Sequence, residues 1–413
     1  MAVNIVQCSG GALSVLTCTP IAGKPVTRRS DKETGTIMKF QSIAAVILGL
    51  LGSGCSTLVS KVFPLDDLPV PSGPHAVGTQ YFEWVDGARE EPFTEGADDK
   101  RRLAGQIWYP AEMSDNSLRQ PYLDYPERRL DMISYQSGLP RFMVAHMQRV
   151  QTNSLLNAPL VPHSQKRPLV LFSHGLSGMK NQNTIQAELL ASHGIIVVSV
   201  DHAYDAYLTI FADGTVADYR SSDTENRTGD AFWAFRLPQL KTRVADLAFV
   251  LDEVARRSGE AGSLWANIAT DDVGVFGHSF GGATALMLAA QDDRVTKSMA
   301  LDGWMVPVPP EVIAAGTAKP FYYLGQAAWD DPVNYKKLDK FLSASPQGKK
   351  QLEAGTKHFD YSDAPQFSNL AKRFGLSGEV SRPALRALIN DAVMSFFIND
   401  VRRAQASEAN LDQ

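Results

Sequence analysis

Cysteine is nearly absent. Three occur in 413 residues, Cys8, Cys18 and Cys55, and none follows. No internal disulfide is open to residues 56–413, so their stability must come from a hydrophobic core, which a chain of this length and 44% apolar composition can build. Metal-ligand spacing is missing as well: there is no H-E-x-x-H and no C-x-x-C, and the eight histidines are scattered. Neither a P-loop nor a dinucleotide fingerprint is present, so no metal and no cofactor is expected. Basic excess is lacking too. The first 55 residues hold five of the 40 Lys and Arg and two of the 45 Asp and Glu, leaving 35 basic against 43 acidic residues, a balance of −8. That sign argues against nucleic acid as a partner.

Long hydrophobic runs are also scarce. The clearest, Ile43-Ala44-Ala45-Val46-Ile47-Leu48-Gly49-Leu50-Leu51, is too short to span a bilayer as a helix. It follows Met38-Lys39-Phe40 and precedes Gly52-Ser53-Gly54-Cys55-Ser56, an order of short basic region, apolar core and small residues before cysteine that resembles a bacterial lipoprotein signal peptide. The departure from that pattern is Gly52, which stands three places before the cysteine where leucine is expected, with Leu51 one place earlier. The expectation is cleavage and lipidation at Cys55, which would present the remainder on a membrane of the bacterial cell envelope, facing the periplasm or exterior. Residues 1–37 are polar and unpatterned, so synthesis is expected to begin at Met38. Residues 1–55 then read as extension plus signal, and 56–413 as one catalytic domain.

What is present is a strand, a sharp turn and a helix. Val273-Gly274-Val275-Phe276 leads into Gly277-His278-Ser279-Phe280-Gly281, and Ala283 to Ala290 continues as a helix-forming stretch. Glycines on both sides of the serine permit the strained turn of a nucleophile elbow, which lifts Ser279 Oγ out of the sheet. A serine hydroxyl at neutral pH needs a base, and the base a carboxylate to orient it. In the chain order serine, acid, histidine, only His358 follows the elbow; it lies in the glycine-punctuated loop after an expected strand at Lys349 to Glu353. Two sites compete for the acid. Asp302 follows Ser298-Met299-Ala300-Leu301, whereas Asp330 and Asp331 follow Phe321-Tyr322-Tyr323-Leu324. Pattern favours Asp302, close to its strand end among bulky residues, without closing the question. Upstream, Pro168 to Ser173 reads as a buried strand opening into His174-Gly175-Leu176-Ser177-Gly178. That turn is a place for oxyanion donors, the candidates being the backbone amides of Leu176 and Phe280. His174 itself reads as a structural histidine bonding nearby backbone.

Four ordered blocks, Phe172-Ser173-His174-Gly175-Leu176, Leu190-Ala191-Ser192-His193-Gly194, Gly277-His278-Ser279-Phe280-Gly281-Gly282-Ala283-Thr284 and Ala300-Leu301-Asp302-Gly303-Trp304-Met305, resemble the plasma-type platelet-activating-factor acetylhydrolases, a branch of the α/β-hydrolases. The resemblance spans roughly residues 166 to 362. It implies a triad of Ser279, Asp302 and His358, which settles the acid by analogy, and oxyanion donors at Leu176 and Phe280. It implies calcium-independent hydrolysis of short or oxidised sn-2 acyl chains of phospholipids through a serine ester. Polyester hydrolases and cutinase-like enzymes share the elbow but carry an aromatic residue and a methionine at the two donor positions. A general carboxylesterase or a polyester or cutinase-like hydrolase is the alternative reading. A non-catalytic binding lipoprotein on the same scaffold would predict a broken triad.

The remaining pattern predicts an α/β fold: a doubly wound, mostly parallel sheet with antiparallel N-terminal edge strands. Gly194 to Val200 is a further buried strand. Helices are expected over Gln182 to Ser192, about Arg236 to Arg257, and within Glu379 to Arg402. Tyr207 to Phe211 and Thr215 to Tyr219 read as a hairpin reversed at Asp213-Gly214. Arg220 to Asp230 reads as a solvated loop. Residues 62 to 126 should supply the antiparallel edge strands, and Leu139 to Leu156 a helix near the site, with Phe142, Met143, His146 and Met147 at helical spacing.

Overall fold

The computed structural model describes residues 56–96, 98–113, 117–221, 227–329, 331–373 and 375–398. Cys55 and the segment before it, with the cleavage and lipidation expected there, lie outside the described residues, as does Asp330.

Runs that are apolar at every position, not alternately, become central parallel strands because both of their faces are covered. β5 (Arg167–Ser173) and β6 (Ile196–Asp201) centre on such runs, as does the second half of β9 (Ile268–His278), whose Asp271 and Asp272 are exposed. They join β10 (Val295–Leu301), β11 (Phe321–Gln326) and β12 (Gly348–Glu353) in parallel. On the other side the N-terminal strands β1 (Ala76–Glu90), β2 (Lys100–Ala111), β3 (Arg119–Pro121) and β4 (Gln151–Leu156) complete a ten-stranded sheet in the order β12-β11-β10-β9-β5-β6-β2-β1-β4-β3. β2 runs antiparallel to β6 and to β1, so the expected antiparallel edge is present. β1 and β4 nevertheless pair in parallel. A separate hairpin pairs β7 (Leu208–Ile210) with β8 (Val216–Asp218) across Asp213-Gly214, as the sequence predicts.

Alternate residues of the same strands feed two cores. Leu169, Leu171, Ile196 and Val198 pack under the helices Gly229–Arg257 and Phe280–Gln291. Val170, Phe172 and Val197 pack under Thr184–Ser192 and Arg382–Phe397, where Leu385, Ile389, Val393 and Phe397 repeat at helical spacing. The chain leaves β5 for β6 on one side and later returns to β9 on the other. The strand order reverses there, and the crevice at the carboxyl ends of β5 and β9 is where such sheets bind ligands.

Two expectations are corrected. Leu139 to Leu156 is not one helix: Arg141–Val144 and the 3₁₀ turn Ala145–Arg149 end at Val150, and the rest is β4. Thr152 and Ser154 are buried in that strand, where its pairing with β1 and β3 satisfies the backbone and outweighs the helical spacing before it. The helix expected from Arg236 begins at Gly229, so Gly229 and Asp230 belong to a helix and not to the expected loop. Pro238 sits inside that helix as its tenth residue.

Candidate active site

The register aligns the carboxyl ends of four strands. Ser173 lies opposite Gly277, His278 opposite Leu301, and Leu301 opposite Leu324. Each strand therefore delivers its following residue to one rim.

At β9 the chain turns through Ser279 with φ 56° and ψ −120°, a left-handed backbone that L-residues avoid. Three bonds hold it there: Ser279 N–H donates to Leu301 O, and Ser279 O accepts from the N–H groups of Gly282 and Trp304. The flanking glycines are required by space. A Cβ on Gly277 would lie 2.1 Å from Gly281 O, and one on Gly281 would lie 1.9 Å from Ser173 O. Among the described residues the Ser279 hydroxyl has no hydrogen-bond partner. The side chain of Phe280 is locked under the Arg243 guanidinium, 4.9 Å away, and beside Trp304, with ring centroids 5.6 Å apart.

Asp302 follows β10 and is completely buried. Its Oδ2 accepts from His358 Nδ1 at 2.6 Å and from Gln326 Nε2 at 2.9 Å. Its Oδ1 accepts from Gln326 N–H at 3.0 Å and from Trp329 Nε1 at 2.9 Å. Four donors converge on this one carboxylate, and its Oδ2, as the acceptor, keeps the His358 proton on Nδ1. The far ring nitrogen, Nε2, has no hydrogen-bond partner among the described residues and belongs to a ring that lines the same cavity as Ser279. Asp331 is elsewhere in role. It caps the helix Pro332–Ser343, accepting from Val333 N–H.

The loop after β5 faces the elbow closely: a Cβ on Gly175 would lie 3.1 Å from His278 Nδ1 and 3.2 Å from Ser279 Cβ. The amides of Leu176 and Phe280 bond to nothing else among the described residues, as donors reserved for a ligand oxygen would. His174 is structural, as its sequence setting suggests. Its Nε2 accepts from His202 N–H at 3.0 Å, which leaves the proton on Nδ1 to donate to Gly175 O at 2.6 Å. Gly175 O and Leu176 N–H share one trans peptide plane, so this bond also aims the Leu176 donor.

Behind the loop lies a polar network that the sequence reading did not find. Ser173 Oγ bonds His202 Nε2 at 3.0 Å, and His202 Nδ1 bonds Asp246 Oδ2 at 2.9 Å. Arg101 clamps the same Asp246 through two bonds, and Arg243 donates to His174 O. This second serine, histidine and aspartate chain is sealed from the cavity, since all three side chains are fully buried. It braces the loop. Burial, then the Arg243 charge, pushes His202 down to about 3, so it stays neutral, while Arg101 and His202 hold Asp246 ionised against its own burial. The signal was available: Arg243 and Asp246 are charged residues on the otherwise apolar stripe of Leu240, Val244 and Leu247.

A cavity of about 690 Å³ opens at Ser279 and His358, walled by Leu65, Tyr122, Ile133, Met147, Met179 and Phe367. No Asp, Glu, Lys or Arg is among its described lining residues. A second cleft of about 780 Å³ shares His358, Phe359 and Leu376 with it, and adds the polar Gln326, Asp331 and Lys357.

The family model of platelet-activating factor acetylhydrolase, isoform II, matches residues 61–410. Curated relatives include the platelet-activating factor acetylhydrolases of Cavia porcellus, 25% identical across 75% of this chain and 74% of that protein, and of Canis lupus familiaris, 27% identical across 70% of each. A probable 1-alkyl-2-acetylglycerophosphocholine esterase of Arthroderma benhamiae is 23% identical across 88% of this chain and 89% of its own length. Among solved structures, a ferulic acid esterase from Streptomyces cinnamoneus superposes with a TM-score of 0.65 at 26% identity, covering 80% of this chain and 92% of that one.

Proposed function

Because the chain belongs to the platelet-activating factor acetylhydrolase, isoform II, family, and is a serine esterase of phospholipid esters, we propose that Ser279, His358 and Asp302 carry out its hydrolysis. His358 Nε2 takes the Ser279 proton as Oγ attacks the ester carbonyl, and Asp302 holds the imidazole by Nδ1 and balances its charge. The Leu176 and Phe280 amides receive the developing oxyanion, each donor lowering the barrier by roughly 3 kcal/mol. His358 then protonates the leaving alcohol. Water, deprotonated by the same imidazole, releases the acid from the serine ester.

The observation that carries this reading is the Asp302 carboxylate, saturated by four donors of which one is His358 Nδ1, at the rim of the cavity that Ser279 enters. The charge-free wall of that cavity suits an acyl chain. We further propose, from the Met38 to Cys55 pattern alone, that the protein is lipidated at Cys55 and held on a bacterial envelope membrane. Mass analysis of the mature N-terminus tests this: a lipid-modified Cys55 is expected, and intact peptides from residues 1–37 would overturn it.

Ser279→Ala should abolish both esterase turnover and fluorophosphonate labelling with the fold intact; retained turnover refutes the assignment. A rate series on p-nitrophenyl esters of rising length, beside acetyl and long-acyl phosphatidylcholines, tests the substrate. Preference for short-acyl phospholipids is expected, and equal or better rates on simple esters would put a general carboxylesterase in its place.

A further inference from the structure

Three loops must hold a common register for this chemistry: the oxyanion loop after β5, the elbow after β9, and the loop bearing His358 after β12. They come from distant parts of the chain. Two side chains in series connect all three. Gly175 N–H donates to Gln182 Oε1 at 3.0 Å, Gln182 Nε2 meets His278 Nδ1 at 2.8 Å, and His278 Nε2 meets His358 O at 3.0 Å.

The direction of every bond in this chain is fixed from its ends. A backbone amide only donates and a backbone carbonyl only accepts. Gly175 therefore claims the Gln182 oxygen, the Gln182 nitrogen must donate, and His278 Nδ1 must be the unprotonated acceptor. The single ring proton is then on His278 Nε2, where the His358 carbonyl receives it. No other assignment satisfies all four groups.

Space is reserved for the relay. A Cβ on Gly178 would lie 2.3 Å from Gln182 Oε1, so only glycine there leaves room for the carboxamide. The backbone of Gln182 is itself anchored, its N–H on Met179 O and its carbonyl under Asp363 N–H. The His278 ring lies against the His358 ring, centroids 4.6 Å apart and 34° between planes.

We propose that Gln182 and His278 are positioning residues for the hydrolysis: their relay sets the Leu176 donor, the Ser279 elbow and His358 at working distance from one another. This rests on the triad and oxyanion assignment above. Gln182 touches the peptide immediately before the Leu176 donor, and His278 holds the backbone of His358, so a loss of either link separates donor from base. Burial, and next the neighbouring His358, push His278 well below the usual histidine range. The ring that stacks on His358 is thus neutral and does not repel the imidazolium that forms there during attack.

The test is Gln182→Met, which keeps length and removes both polar ends, beside Gln182→Glu, which keeps an acceptor for Gly175 N–H but as a carboxylate has no hydrogen to give His278 Nδ1. For Gln182→Met, kcat on p-nitrophenyl acetate should fall about 10- to 100-fold with KM within about twofold, less than the about 10²- to 10³-fold that removing an oxyanion donor outright costs. Discrimination between p-nitrophenyl acetate and its thionoacetate analogue should shrink in parallel, because it reports the oxyanion donors and not general folding. Gln182→Glu should lose kcat as well, because its carboxylate keeps the Gly175 link and breaks the one to His278. Wild-type kcat in Gln182→Met or in Gln182→Glu would overturn the relay. If Gln182→Met does not fold, Gln182→Ala, which only opens space at the cavity wall, replaces it with the same two outcomes. Ser279→Ala run alongside separates the two ideas: activity there sinks the triad itself, whereas an inactive Ser279→Ala with an unimpaired Gln182→Met sinks only the relay.

Discussion

Asp302→Asn tests the proposed acid at the level of single hydrogens. Gln326 N–H and Trp329 Nε1–H point at Oδ1; Gln326 Nε2 and His358 Nδ1 point at Oδ2. A carboxamide offers one oxygen and one NH₂, so one side of the site must set donor against donor. The nitrogen cannot settle at Oδ1, because a backbone amide and an indole have no acceptor to offer in return. At Oδ2 both neighbours can adapt. The Gln326 carboxamide turns over, and His358 gives up its Nδ1 proton and carries one on Nε2 instead. That tautomer presents an N–H to Ser279 and cannot take its proton. The expected loss in kcat is about 10⁴-fold, the size a misdirected tautomer costs in serine hydrolysis. The shape of the side chain is unchanged, so stability should fall by only about 1–2 kcal/mol as charge-assisted bonds become neutral ones. Asp331→Asn is the control. Asparagine caps a helix about as well as aspartate, so the cap on Val333 N–H survives and both activity and melting temperature should hold. p-Nitrophenyl acetate kinetics with thermal melts on both variants decide the matter. An Asp302→Asn enzyme within tenfold of wild type, or greater damage from Asp331→Asn, refutes the reasoning.

Two further outcomes follow from the packing and the buried charges. Phe367 walls the cavity and sits 4.6 Å from the Tyr122 ring, so Phe367→Ala should extend the preferred acyl chain by one or two methylenes. Each added methylene buried there is worth about 0.8 kcal/mol, or roughly fourfold in kcat/KM, against a stability cost of about 3 kcal/mol; an unchanged chain-length profile would exclude Phe367 from the acyl wall. His202 is buried and neutral, with its folded pKa near 3 against 6.5 in the unfolded chain. A depressed histidine pKa means that below pH 6.5 the unfolded chain binds the extra proton, so the wild type loses this contribution as pH falls. His202→Gln removes that linkage, and its stability deficit against wild type, measured by urea unfolding, should narrow by about 1.4 kcal/mol between pH 7.5 and 5.5. A deficit that stays constant would mean that His202 titrates normally.

Local pattern carried far where one element decides the outcome. The elbow is legible because two glycines around a serine between an apolar strand and a helix have few other uses, and the backbone there is strained as that reading requires. The parallel strands announce themselves as uninterrupted apolar runs, and the Asp213-Gly214 hairpin by its turn residues. Failures came where a partner outside the window decides. Leu139 to Leu156 carries helical spacing, but β1 and β3 claim its second half as a strand. Gly229 and Asp230 look like loop residues until the helix they begin packs on the sheet.

The candidate site divides in the same way. Sequence alone singled out the proposed nucleophile and base, since chain order leaves one histidine after Ser279, and it determined that nothing after Cys55 forms an internal disulfide. Tertiary structure set Asp302 and Asp331 apart, because what a carboxylate can do depends on which donors meet it: four converge on one, and a helix start uses the other. It alone revealed Gln182, His278, Gln326, Trp329 and the chain from Arg101 through Asp246 to Ser173. Those residues lie from 7 to 145 positions from the groups they hold. Hydrogen-bond direction and burial are properties of assembled neighbours, and no local spacing in the chain records them.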